Sequence, residues 1–122
     1  MCSSDLACAA ALATLDLYRE EDLFARARKL EPVFADAVMR LKGLPNVLDI
    51  RVVGLAAGID LASIPDKPGG RAYAAMEKAF HDENMIVRVT GDTIALSPPL
   101  IISEPQIGEM VDTVGRVIRA VA

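Results

Sequence analysis

Residues 48–61 read LDIRVVGLAAGIDL, and their apolar side chains recur at every second position up to Gly54. A period of two is typical of a half-buried β-strand. After Gly54 the alternation resumes with opposite parity, through Leu55, Ala57, Ile59 and Leu61. A change of parity at a glycine indicates a tight turn or a bulge, so the stretch is either an antiparallel hairpin or one bent strand.

Two segments ahead of this stretch have the three- and four-residue spacing of amphipathic helices. The first runs from Leu6 to about Arg19 and is rich in alanine, and the second runs from Leu23 to Leu41. Pro32 lies inside the second pattern. Because an interior proline removes one backbone hydrogen bond, we expect a kink or a restart of the helix just before it.

Helical and strand patterns alternate in the second half of the chain. After a loop rich in proline and glycine at residues 63–70, we expect a third helix at about 71–82, with Tyr73, Met76 and Phe80 on one face. Two short strands follow, Met85–Val89 and Thr93–Leu96, and the Gly-Asp pair between them is a turn signal.

The last helix is predicted by its cap and by its apolar stripe. Ser103 and Gln106 have the spacing of a capping box, and Pro98-Pro99 closes the strand before them. The stripe consists of Ile107, Met110, Val111, Val114, Val117, Ile118 and Val121. The predicted order of elements is α-α-β-β-α-β-β-α, which indicates an α+β fold with a small, mostly antiparallel sheet covered by helices.

Composition limits the kinds of partner. A chain of 122 residues fits one domain, and 52% of its residues are hydrophobic against 25% charged, which argues against disorder. Its net charge is −4 and no run of Lys or Arg exceeds two residues, so we expect no nucleic-acid partner. No apolar stretch or leader pattern predicts a membrane span or a secretion signal, so we expect a cytoplasmic protein. Cys2 and Cys8 are expected to be free thiols, with no zinc site and no disulfide framework.

Few residues suggest chemistry. None of the four lysines, at positions 29, 42, 67 and 78, has the apolar strand-edge surroundings that would lower an amine pKa for Schiff-base formation. His81 is the single histidine and lies near a helix end without a recognisable partner, so it receives no role. The glycines of residues 54–58 lack the Lys-Ser/Thr ending of a phosphate loop. We therefore predict no catalytic residue and no metal ligand in this chain.

Arg88 is the most informative charged residue. It lies inside the apolar run Met85–Val89, just before a turn. An arginine in this position either points to solvent from the polar face of the strand or binds an anion. The pattern alone favours the solvent-facing alternative.

Two segments resemble class III pyridoxal-phosphate aminotransferases. They are residues 44–51, LPNVLDIR, with Gly54-Leu55 following, and residues 89–102, VTGDTIALSPPLII. The likeness is greatest to the β-alanine, or ω-amino acid:pyruvate, branch. Residues 7–13, ACAAALA, resemble the start of the helix that joins the large and small domains of that family. The resemblance thus implies a C-terminal small domain at residues 7–122, and residues 1–6 are expected to be a non-family leader at a junction.

The resemblance implies pyridoxal 5′-phosphate as cofactor, with an amino donor and a keto acid as substrates and a homodimeric parent enzyme. The cofactor lysine and the phosphate-binding groups of the family lie in the large domain, so this segment is expected to be inactive alone. Arg88 matches the mobile arginine of the pattern Arg-x-x-Gly-Asp, which implies that it binds a substrate carboxylate, and a guanidinium can do so through two parallel hydrogen bonds. Ornithine-type relatives have an arginine where this chain has Ala95, so the likeness favours ω-amino acids.

Two other interpretations stay open. The chain could be a non-catalytic α+β module that binds a small carboxylate through Arg88, or a partner protein. It could also be a non-functional fragment. The alanine-rich first helix distinguishes a self-contained module from a domain that belongs to a larger enzyme. A self-contained module would bury the apolar face of that helix, whereas a domain separated from its enzyme would expose it.

Overall fold

The computed structural model describes residues 4–122 and has the predicted order of elements. The helices are α1 (Asp5–Glu20), α2 (Leu23–Met39), α3 (Gly70–Glu83) and α4 (Glu104–Ala120). The strands are β1 (Val47–Val53), β2 (Ala56–Leu61), β3 (Arg88–Thr90) and β4 (Thr93–Leu96). They form one antiparallel sheet in the order β1-β2-β4-β3. The predicted α+β fold class is confirmed.

The stretch at residues 48–61 is a hairpin, not a bent strand. Gly54 has a φ of 57°, which a residue with a Cβ atom rarely adopts, and the strands pair from Val53 opposite Ala56. The backbone amide of Gly54 donates a hydrogen bond to Oε1 of Glu31 at 3.2 Å, which links the turn to α2. The glycines of this segment therefore serve backbone geometry.

Helices cover one face of the sheet. Ile59 and Ile94 are almost completely buried on that face, and they meet Phe34 of α2 and the apolar stripe of α4 in a single core. The helix α3 contributes three buried alanines to the same core, at positions 72, 75 and 79. Such a core supplies most of the driving force for folding. The opposite face carries charged and small residues, in which one row across the four strands consists of Arg51, Gly58, Ala95 and Arg88.

Two details differ from the sequence predictions. Of the kink or restart expected near Pro32, the restart is wrong, because α2 is one helix across it. Pro32 is exposed, so water can reach the carbonyl that loses its bond. The predicted apolar face of α3 is mostly exposed at Tyr73 and Phe80, since α3 buries its small residues instead. The third strand begins at Arg88 because the amide of Met85 donates to the carbonyl of Ala79 at 2.9 Å and completes the end of α3.

The first helix stands apart from the core. The hydroxyl of Ser4 caps α1 by accepting a hydrogen bond from the amide of Ala7 at 3.2 Å, yet α1 has no buried residue. Leu6 and Leu12 are 81% and 64% exposed. Cys8 on this helix is a free, exposed thiol, whereas Cys2 lies outside the described residues.

Candidate functional site

A groove of about 740 Å³ runs along the edge strand β3. It is lined by residues 84–87, which lie between α3 and β3, by the Pro98-Pro99 segment and by the first half of α4. Arg88 and Ala95, which face each other across β3 and β4, also line it. The edge of the sheet thus has a cleft large enough for a small organic ligand.

Arg88 lines this groove without a charged partner. It is exposed, and no carboxylate among residues 4–122 lies within 4.0 Å of its guanidinium nitrogens. Arg51, at the other end of the same row, differs: its two terminal nitrogens donate to the carboxylate of Asp60 at 2.6 and 2.9 Å. This pairing raises the pKa of Arg51 and lowers that of Asp60, mainly through the hydrogen bonds between them. In the described chain, Arg51 already has a carboxylate and Arg88 does not.

The surroundings of Arg88 combine apolar side chains with two acidic ones. Ile86 and Ile101 line the groove and are 83% and 62% exposed. Glu83 and Glu109 also line it, but Glu83 is held by Arg116, whose Nε and a terminal nitrogen donate to it at 3.2 and 2.6 Å. These bonds lower the pKa of Glu83 and neutralise its charge locally. Glu109 has no such partner among the described residues and adds a negative charge to the lining. The exposed apolar side chains and the unpaired guanidinium of Arg88 together suit a small carboxylate with a short carbon chain.

One rim of the groove is fixed by an arginine that sequence reasoning missed. Arg26 of α2 donates to the carbonyls of Leu100, Ile101 and Ile102, at 3.3, 3.1 and 2.7 Å. This rim leads into α4, where the predicted capping box of Ser103 is present. No local signal could have identified Arg26, because its partners are 74 to 76 residues away along the chain.

No lysine among residues 4–122 is placed to form a Schiff base with pyridoxal phosphate. Lysines 29, 42 and 67 are exposed, and Lys78 pairs with Asp82 at 2.7 Å, which raises the pKa of its amine. An amine that condenses with an aldehyde must lose its proton, so this shift acts against such a role. His81 is exposed and lies edge-on to Phe80, with 5.0 Å between the ring centroids. Within residues 4–122 there is no group of three or more metal-binding side chains, and no helix is long and apolar enough to cross a membrane.

Comparisons with known proteins agree on one family. The profile described as aminotransferase class-III matches residues 3–118. An omega-aminotransferase of Caulobacter vibrioides is 52% identical over 93% of this chain and 26% of its own length. A beta-alanine–pyruvate aminotransferase of Pseudomonas aeruginosa is 32% identical over 96% of this chain and 26% of its own. The chain thus spans about a quarter of the length of these curated relatives.

Solved structures give the same result. A transaminase structure with L-alanine superimposes with a TM-score of 0.85 at 31% identity, over 94% of this chain and 28% of that one. The adenosylmethionine-8-amino-7-oxononanoate aminotransferase of Methanocaldococcus jannaschii superimposes with a TM-score of 0.83 at 30% identity, over 93% of this chain and 27% of that one.

Proposed function

The chain belongs to the class III aminotransferases, and we propose that it is the carboxylate-binding part of an enzyme that transfers an amino group from an ω-amino acid or amine to pyruvate. The observation that carries the proposal is the unpaired Arg88 in an apolar groove. A guanidinium without an internal carboxylate is available to a carboxylate from outside. The names of two relatives, an omega-aminotransferase and a beta-alanine–pyruvate aminotransferase, support this choice of substrates.

In this proposal Arg88 is a substrate-binding residue, and the chain contributes no catalytic residue. Class III aminotransferases use pyridoxal 5′-phosphate, but none of the lysines described here is placed for it. We therefore assign the cofactor to the large domain that such an enzyme requires. The 122-residue chain alone should be inactive as a transaminase.

The exposed α1 supports the interpretation as part of a larger enzyme. A self-contained carboxylate-binding module would bury the apolar face of its first helix, whereas Leu6 and Leu12 of α1 are mostly exposed. Contiguous exposed apolar surface marks a site of protein contact. We propose that this helix packs between the large domain and the second subunit of a cytoplasmic homodimer.

A grafted enzyme tests the proposal directly. Residues 7–122 would replace the equivalent C-terminal quarter of the Caulobacter vibrioides omega-aminotransferase, whose large domain supplies the cofactor site. This grafted enzyme should convert pyruvate to alanine with β-alanine as donor. If it folds and binds pyridoxal phosphate but accepts only donors that lack a carboxylate, the proposed substrate class is wrong. The matched control is the unmodified relative under the same conditions.

A further inference from the structure

The turn between β3 and β4 is bound to the start of α3 through one side chain. Asp92 lies in this turn, and its carboxylate accepts three hydrogen bonds from residues 63–72. The donors are the hydroxyl of Ser63 at 2.6 Å, the amide of Gly69 at 2.8 Å and the amide of Ala72 at 3.5 Å. A single carboxylate thus joins the hairpin, the loop after β2 and the first turn of α3.

The helix α3 depends on this contact because it has no cap of its own. Its N-cap residue is Gly69, which has a φ of 78° and no side chain to accept a hydrogen bond. The first amides of a helix need acceptors from outside it, and a carboxylate there also interacts favourably with the helix dipole. The bonds from Ser63 and then Gly69 lower the pKa of Asp92, so the carboxylate stays ionised at neutral pH.

The same contact affects the position of Arg88, because the short strand β3 joins Arg88 to the turn that carries Asp92. β3 has three residues, pairs with β4 alone and packs against α3, so its position depends on how the hairpin sits on that helix. Arg88 is at one end, and the turn is at the other. The turn packs closely on α3, because a Cβ atom on Gly69 would lie 3.4 Å from the carbonyl oxygen of Gly91.

We propose that Asp92 is a positioning residue for Arg88: it binds the turn to α3 and so holds the edge strand from which Arg88 reaches the groove. The identity of the ligand that Arg88 binds rests on the proposed function, whereas the role of Asp92 in fixing β3 does not. Two measurements therefore address the two parts separately.

The first measurement is amide hydrogen exchange by NMR in the full 122-residue chain. Asp92→Ala should speed exchange at Gly69, Ala72 and the hairpin amides of residues 88–96, by about five- to hundredfold as expected for unsatisfied donors. Asp92→Asn keeps one acceptor oxygen, which can still serve Ser63 and Gly69, so it should retain the protection of Gly69; its amide nitrogen cannot accept from Ala72. The control is Ile118→Val, which removes one methyl group from the core and should leave the ratio of hairpin to α4 exchange unchanged. Equal acceleration over the whole chain in Asp92→Ala would overturn the proposal.

The second measurement uses the grafted enzyme. Asp92→Ala should raise the KM for β-alanine about tenfold, while the half-reaction of an arylalkylamine changes less than about twofold, and Asp92→Asn should restore most of the difference. Asp92→Ala could speed exchange of the hairpin amides selectively and yet lower activity equally with both donors. This result would mean that Asp92 holds the strand without orienting Arg88, and it would overturn the proposal. If Arg88→Ala itself does not discriminate between the donors, the proposed function fails, and hydrogen exchange still decides whether Asp92 holds the strand.

Discussion

Truncation of Arg88 in the grafted enzyme should separate substrates by whether they carry a carboxylate. Arg88→Ala removes a guanidinium that has no carboxylate partner within residues 4–122. The substitution leaves no buried acidic group without a partner. The fall in kcat/KM therefore measures the contact between Arg88 and the substrate. The variant should fold normally, because the side chain is exposed and makes no hydrogen bond among the described residues.

The size of the loss follows from the kind of contact. A hydrogen bond to a charged group contributes about 1.5–3 kcal/mol, and two parallel bonds from a guanidinium to a carboxylate are the favoured geometry. At about 1.36 kcal/mol per factor of ten, this corresponds to roughly tenfold to 150-fold in kcat/KM for β-alanine or pyruvate. The solvent exposure of Arg88 favours the lower part of that range, since water screens the pair.

The assay is a pair of half-reactions followed spectroscopically, one with β-alanine and one with an arylalkylamine. The amine carries no carboxylate, so its rate should fall by less than about threefold in Arg88→Ala. Arg51→Ala is the matched control, because Arg51 lies in the same row of the sheet but is already paired with Asp60. That variant should lose stability and keep the preference for β-alanine.

An equal loss with both donors in Arg88→Ala would refute the assignment. It would mean that the arginine supports the fold of the edge strand and does not select the substrate. A loss of selectivity in Arg51→Ala would also count against it, because the effect would then belong to the charge of the whole sheet face.

Two further predictions concern the chain alone. Incubation of the 122-residue protein with pyridoxal phosphate and borohydride should give at most scattered labelling of the exposed lysines and no specific adduct, because three lysines are exposed to water and the fourth is paired. Stoichiometric modification of a single lysine, found by mass spectrometry, would contradict this. Denaturant unfolding should separate α1 from the core. Leu12→Glu should change the unfolding free energy by less than about 0.5 kcal/mol, whereas Phe34→Ala should cost about 3–5 kcal/mol because its side chain is fully buried. Similar losses in both variants would show that α1 packs against the core.

The parts of the fold that the sequence predicts are those fixed by local chemistry. The capping box of Ser103 and the glycine turn at Gly54 involve residues close together in the chain, and both are present. The contacts that position the groove are different, since Arg26 reaches carbonyls 74 to 76 residues away and Asp92 reaches donors 20 to 29 residues away. Such contacts depend on how whole elements pack, so no spacing rule predicts them.

The register of the hairpins nevertheless explains why Arg51 is paired with a carboxylate and Arg88 is not. A two-residue turn after Val53 sets Arg51 opposite Gly58 and therefore diagonal to Asp60, which is within reach of a long side chain. The turn after Thr90 sets Arg88 opposite Ala95, and the neighbours on the same face of β4 carry no negative charge. Because β3 is an edge strand, no second neighbouring strand can supply a carboxylate. Arg51 is also on an edge strand and opposite a glycine, so the diagonal neighbour makes the difference. An arginine on an edge strand whose diagonal neighbours carry no carboxylate is left unpaired by the sheet, which is the condition that a carboxylate-binding site requires.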